Sequence, residues 1–283
     1  MISVPAAVVD VAWLAANLAA PNLIVLDASM PPIVPGLNSV NAEGRFKAIP
    51  GARRFDYDKD VCKPDTSLPH MLPGPEIFER KVRALGVNAD SALVVYDDCG
   101  MYASPRAWWM FRAMGHENIA VLSGGLPAWV AADKPLADSL AEAESEGDFA
   151  ADFRPQLVSD YRAVLEALED DRRRVLDARS PGRFRGVDPE PRPGLRGGHM
   201  PNAENLPFVR LLENGVMRPA DELREIFAEF GAQERRLISS CGSGITACVI
   251  ALAAHEAGLD DVSVYDGSWV EWGTPGHLPV VTD

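Results

Sequence analysis

The sequence predicts an α/β protein built from two tandem domains, each a mostly parallel sheet flanked by helices. Two observations carry this. Short segments recur in the same order in the two halves of the chain, and within each half apolar runs of strand length alternate with helical patterns.

The recurrence is read element by element. Leu26-Asp27-Ala28-Ser29 returns as Leu176-Asp177-Ala178-Arg179, and Gly44-Arg45-Phe46 as Gly182-Arg183-Phe184. Ile49-Pro50-Gly51-Ala52 returns as Met200-Pro201-Asn202-Ala203. Leu93-Val94-Val95-Tyr96 returns as Leu237-Ile238-Ser239-Ser240, and the stretch from Ala120 to Trp129 as that from Ser263 to Trp272. An offset of roughly 145 residues is the size of a whole domain, so the pattern is a duplication and not a solenoid. NLIVLDAS, SALVVYDD and NIAVLSGG are apolar and short, as strands buried on both faces must be. Residues 105–114 and 246–257 are expected to be crossover helices, stopped by Gly115 and Gly258. The reading gives a first domain at 1–138, an acidic linker of small residues at 139–152, and a second domain at 153–283.

Bulk properties narrow the function. A formal charge of −14 argues against nucleic acid and anionic membranes as partners, because both need a basic face. No apolar run approaches the roughly 20 residues of a membrane span. The apolar N-terminus lacks a basic leader region and is interrupted by Asp10, so no targeting peptide is expected. Cys62, Cys99, Cys241 and Cys248 form no CxxC pair; neither a metal site nor a redox pair is expected, and a reducing, cytoplasmic setting is.

In parallel sheets ligands gather beyond the carboxyl ends of the strands. After the strand ending at Ser240 comes Cys241-Gly242-Ser243-Gly244-Ile245-Thr246 and then a helix. A cysteine there faces unpaired backbone N–H groups and the positive end of the helix dipole, a setting that favours thiolate over thiol. Gly242 and Gly244 let the loop curl into a nest of N–H donors around the sulfur. Matching Tyr96 with Ser240 sets Asp97 opposite Cys241, so the first copy lacks the nucleophile. Cys248 and Cys62 are expected to be packing residues. Five arginines, Arg179, Arg183, Arg185, Arg192 and Arg196, face only Asp188 and Glu190 in the intervening segment. In so acidic a chain this is the local positive charge that an anionic substrate requires.

These motifs together resemble tandem-domain rhodanese-like sulfurtransferases, with an inactive first copy and an active second copy. The CGSGIT loop resembles the CG(S/T)GVT pattern of members that use 3-mercaptopyruvate, with Ile245 in place of Val, and not the basic CRKGVT of thiosulfate-preferring members. The segments DARSPGRFRGVDPEPRPG and YDGSWVEWG resemble the same family over nearly the full length. The resemblance implies that Cys241 carries sulfur as a persulfide and that Arg183 and Arg192 bind the donor. It also implies that the loop residues Gly242, Gly244, Ile245 and Thr246 line the site, and that Ser243, His70 (in HMLPG) and Asp58 (in FDYD) form a proton relay. His199 is expected to be structural. The implied partners are a small anionic sulfur donor and a thiol acceptor such as thioredoxin, with cyanide as an alternative acceptor; no cofactor is implied.

Three other functions are weighed. The nearest is sulfur transfer from thiosulfate, as the main or a side reaction. A cysteine-dependent phosphatase needs arginine six residues after the cysteine, where Ala247 stands. A noncatalytic sensing module suits the first copy alone, but Cys241 argues against it for the second.

Overall fold

A computed structural model describes residues 1–282. The chain divides into two compact units. Unit 1 comprises Met1–Asp65, Leu72–Arg154 and Asn214–Met217; unit 2 comprises Thr66–Met71, Pro155–Glu213 and Arg218–Asp283.

Unit 1 runs β1 (Val8–Val9), α1 (Val11–Asn17), β2 (Leu23–Asp27), β3 (Arg53–Arg54), α2 (Pro75–Ala84), β4 (Ala92–Tyr96), α3 (Ser104–Ala113), β5 (Ile119–Leu122) and α4 (Gly125–Ala131). Its sheet has the order β1-β5-β4-β2-β3, and every pairing is parallel. Then follow β6 (Val158–Ser159), α5 (Tyr161–Ala167), β7 (Arg173–Asp177), α6 (Pro181–Phe184), β8 (Glu204–Asn205), the two-residue strands β9 (Leu212–Glu213) and β10 (Val216–Met217), α7 (Ala220–Ala228), β11 (Arg236–Ser240), α8 (Ala247–Glu256), β12 (Val262–Tyr265) and α9 (Ser268–Trp272). The sheet of unit 2 has the order β6-β12-β11-β7-β8, again parallel throughout.

The two sheets share one topology, as the internal repeat requires. Register makes the match residue by residue: Asp27 pairs with Tyr96 in one sheet and Asp177 with Ser240 in the other. The central strands β4 and β11 carry apolar side chains toward both faces because helices cover both sides. α8 is buried along eight of its ten residues, which accounts for its nearly all-apolar sequence. Gly115 and Gly258 follow the crossover helices with φ of 87° and 82°, the left-handed conformation that ends a helix and that glycine adopts without steric cost. The duplication extends to side chains: Trp129 Nε1 donates to Pro135 O and Trp272 Nε1 to Pro279 O.

The acidic segment at 139–152 is not a free tether. It is hydrogen-bonded along unit 1, from Ala141 N to Ala52 O (2.8 Å), Gly147 N to Arg83 O (2.8 Å) and Phe149 N to Val87 O (3.1 Å). Its composition predicted solvated chain, but two residues override that. Phe149 is buried against Phe78 and Phe111, and Gly147 lies where any side chain would collide with Val87 O. Among the described residues no helix is long and apolar enough to cross a membrane.

Candidate active site

β11 delivers Cys241 to the carboxyl edge of its sheet, and α8 starts six residues later. Cys241 is 2 % exposed. Gly244 N donates to Cys241 Sγ at 3.1 Å, and Gly244 has φ of 79°, so the loop curls left-handed to aim that N–H at the sulfur. α9 holds the loop from the other side: Trp269 N donates to Cys241 O and Val270 N to Gly242 O, both at 2.9 Å. Ser268 Oγ accepts from Cys241 N at 3.2 Å, donates to Tyr265 O at 2.8 Å and lies 4.0 Å from Cys241 Sγ. Ile245 and Thr246 are buried beneath the loop. Ser243 is also buried. Cys248 Sγ donates to Gly244 O at 3.2 Å, so this packing cysteine also ties down the glycine of the nest.

The arginines sort by burial. Arg179 is wholly buried: it binds Asp177 Oδ2 (2.7 Å) and Gly198 O (2.9 Å), and its guanidinium lies 4.0 Å over the Trp269 ring. Breaking such a pair by removing one partner costs about 3–5 kcal/mol. Arg196 is a clasp, donating to Trp272 O, Gly273 O, Thr274 O and Leu278 O. Arg185 is exposed. Arg183 stays near the loop: a Cβ on Gly242 would come within 2.9 Å of Arg183 Nη2, so glycine at 242 leaves the space that this guanidinium fills. Glu190 fixes it there, with Oε2 accepting from Arg183 Nη2 at 2.5 Å while Oε1 accepts from Arg179 Nη1 at 2.8 Å. Arg192 Nη2 donates to His70 Nε2 at 3.4 Å.

His70 was expected in the first domain, yet the chain around it, Thr66–Met71, packs with unit 2. It is buried at 4 % exposure in a left-handed conformation, φ 60°, which is strained for a residue with a Cβ. Asp58 belongs to unit 1, where its amide donates to Asp56 Oδ1 at 3.0 Å. His199 is buried, with Nδ1 bonded to Phe184 O and its ring stacked on Phe184 at 3.9 Å.

The first copy shows what fills the cradle when the sulfur is missing. Asp97 follows β4 as Cys241 follows β11, and Leu126 N bonds to Asp97 O as Trp269 N does to Cys241 O. The Asp97 carboxylate takes the N–H groups of Cys99 (3.0 Å), Ala103 (2.9 Å) and Ser104 (2.8 Å), and the Ser104 hydroxyl (2.7 Å). Cys99 beside it is no substitute nucleophile. Burial, then the charges of Asp97 and Asp98, push its thiol far above the usual range. Burial, then Asp58, raises the Cys62 thiol as well.

Three contributors were not anticipated: Ser268, Trp269 and Glu190. Ser268 was detectable, since it is a serine aligned with Gly125 of the repeat. Glu190 was visible only as an acid among arginines, and its burial between two of them follows from tertiary packing.

The chain is similar to known proteins over nearly its whole length. The profile of the Rhodanese-like domain matches residues 10–132 and 160–274. The 3-mercaptopyruvate sulfurtransferase of Escherichia coli K12 is 41% identical over 271 residues, 95% of this chain and 95% of that protein. A thiosulfate sulfurtransferase of Rattus norvegicus is 39% identical over 277 residues, 94% of this chain and 91% of the relative. The crystal structure of SseA from Escherichia coli, described as a 3-mercaptopyruvate sulfotransferase with the rhodanese fold, superposes with a TM-score of 0.80 at 37% identity, covering 93% of this chain and 99% of that one. Two copies of one α/β domain, one with a cysteine in the nest and one with an aspartate, place the chain in the rhodanese-like domain family.

Proposed function

We propose that the protein is a sulfurtransferase that moves sulfur from 3-mercaptopyruvate through a persulfide on Cys241 to a thiol or cyanide acceptor, releasing pyruvate. The observation that carries this is the Gly244 N–H aimed at Cys241 Sγ beside Gly242, whose missing side chain admits Arg183. Arg183 and Arg192 bind the carboxylate and keto oxygen of the donor. The Cys241 thiolate attacks the donor sulfur, forming an S–S bond as the C–S bond breaks. The electron pair leaves on carbon as the enolate of pyruvate, which takes up the proton that the donor thiol gave up. Donor and thiolate thereby become pyruvate and a persulfide anion. The backbone N–H groups from Gly242 to Thr246 cradle that anion. An acceptor thiolate or cyanide then takes the outer sulfur and returns the Cys241 thiolate.

The relay of Ser243, His70 and Asp58 is part of the proposal as the source and sink of the proton. Thioredoxin is the proposed protein acceptor. Four cysteines outside disulfides suit a reducing compartment, and the cytoplasm is the proposed location.

A thiosulfate donor is the second reading, favoured by the rat relative at nearly equal identity. Residue 242 weighs against it: thiosulfate is a compact dianion, and Gly242-Ser243 adds no positive charge to the loop. The test is a mass spectrum of the protein after incubation with 3-mercaptopyruvate. One sulfur atom gained on the Cys241 peptide, with pyruvate released in equal amount, is the expected result; pyruvate release with Cys241 unmodified and unneeded refutes it.

A further inference from the structure

The charges that flank the Cys241 loop form a chain. Asp177 pairs with Arg179 at 2.7 Å, Arg179 with Glu190 Oε1 at 2.8 Å and Arg183 with Glu190 Oε2 at 2.5 Å. Arg192 meets His70 and has no carboxylate within ion-pair distance among the described residues. Asp177 and Glu190 thus pair with Arg179 and Arg183, and Arg192 is the arginine of the three that no ion pair engages among the described residues. Arg179 needs Glu190 little, since Asp177, Gly198 O and the Trp269 face already engage it. Arg183, in contrast, has Glu190 as its carboxylate partner through both Nε and Nη2.

The silent copy supplies a control within the same chain. Ser29 stands at the position of Arg179 and an exposed Arg45 at that of Arg183, so the charge chain is confined to the copy that carries the cysteine.

Resting on the reading that this site takes a small anionic donor, we infer that Glu190 is a specificity-determining positioning residue. It holds Arg183 in the space beside Gly242 and removes one unit of positive charge, so the site matches a single carboxylate and discriminates against dianions. A merely structural Glu190 predicts equal losses for all anions. A charge-setting Glu190 predicts that donors diverge according to their charge.

The experiment uses the full chain with Glu190→Gln and Glu190→Asp. kcat/KM is measured for 3-mercaptopyruvate and thiosulfate, and the unreactive anions pyruvate and sulfate are titrated calorimetrically. Glu190→Gln should raise the thiosulfate-to-mercaptopyruvate ratio about tenfold or more, chiefly through KM, because a unit charge so close to the ligand acts more strongly on a dianion. Sulfate should gain on pyruvate by a similar factor. Glu190→Asp, which keeps the charge, should hold the ratio within about twofold of wild type even where both rates fall. Unchanged ratios in folded Glu190→Gln overturn the inference. Tighter binding of sulfate than of pyruvate by wild type also overturns it, and that measurement needs no variant to fold. Failure of the donor reading is separate: wild type would release no pyruvate from 3-mercaptopyruvate, whereas the pyruvate and sulfate titrations would still report charge selection.

Discussion

Ser268 and Gly125 occupy the same place in the two copies, and both have left-handed backbone, with φ of 48° and 55°. In the silent copy glycine is required, because a Cβ would sit 2.4 Å from Asp97 O and 2.3 Å from Gly100 O. In the other copy a serine accepts the strain, of order 1–2 kcal/mol, and sets its hydroxyl against the Cys241 amide. Ser268→Gly should relieve that strain yet leave Cys241 N–H and Tyr265 O short of a partner, so Tm should move little. Single-turnover persulfide formation should slow, because the Cys241 amide loses the hydroxyl oxygen that anchors it and the sulfur is held less firmly against the Gly244 N–H. Unaltered persulfide formation would reduce Ser268 to a turn residue.

Cys241→Ser should abolish turnover with every donor, because a serine hydroxyl is a poor nucleophile at neutral pH. Cys62→Ser, Cys99→Ser and Cys248→Ser should retain most activity. Since burial and nearby carboxylates raise the Cys62 and Cys99 thiols, iodoacetamide at neutral pH should leave both unlabelled. Peptide mapping checks this, and rapid labelling of Cys99 would contradict it.

His70→Ala should slow pyruvate formation by about 10²–10⁴-fold if His70 handles the proton. If His70 only seats Arg192 through the 3.4 Å contact, the loss should appear in KM instead. Separate kcat and KM values, with circular dichroism to verify folding, decide between the two.

Replacing Gly242 with Arg and Ser243 with Lys should shift donor preference toward thiosulfate. A side chain at 242 also enters the space of the Arg183 guanidinium, so the 3-mercaptopyruvate reaction should lose efficiency in the same variant. Arg192→Ala should cost 3-mercaptopyruvate about 2–5 kcal/mol, tens to thousands of fold, and thiosulfate much less. Equal losses on both donors would mean that Arg192 does not read the carboxylate.

His116 is buried against Phe111 and Phe149, with Nε2 2.9 Å from Ser91 O, and burial holds its pKa below the usual value. Its proton therefore binds the unfolded chain more readily. The stability this reflects is present above about pH 6.5 and is lost as pH falls toward the lower pKa of the folded state. Urea midpoints measured from pH 7.5 down to 5 should fall for wild type and fall less steeply for His116→Gln. Parallel slopes would exclude His116 as the cause.

The elements that sequence made legible are those set by local rules. Buried parallel strands read as apolar runs, and Gly115 and Gly258 mark helix ends because the left-handed stop excludes most other residues. Cys241 was legible because a strand, a glycine-rich turn and a helix in that order produce a nest of N–H groups. Hidden features depend on distant partners. Nothing near Glu190 in the chain reports that Arg179 and Arg183 enclose it, and nothing in HMLPG reports that His70 packs with unit 2. The acidic segment misled for the same reason: its composition is that of a tether, and one buried phenylalanine and one close-packed glycine bind it to unit 1.

Asp97 acts in the first copy as a ligand that cannot dissociate. A carboxylate borne on the strand end, within reach of four donors, has an effective concentration that no free anion in a cell approaches. The first cradle is thus permanently self-occupied, immune to the sulfur donors, products and inorganic anions that compete for the second. It also hinders evolutionary reversal. Exchange of Asp97 for cysteine would restore a thiol, but Ser29 and the exposed Arg45 would leave it without a counterpart of the Arg179–Glu190–Arg183 chain.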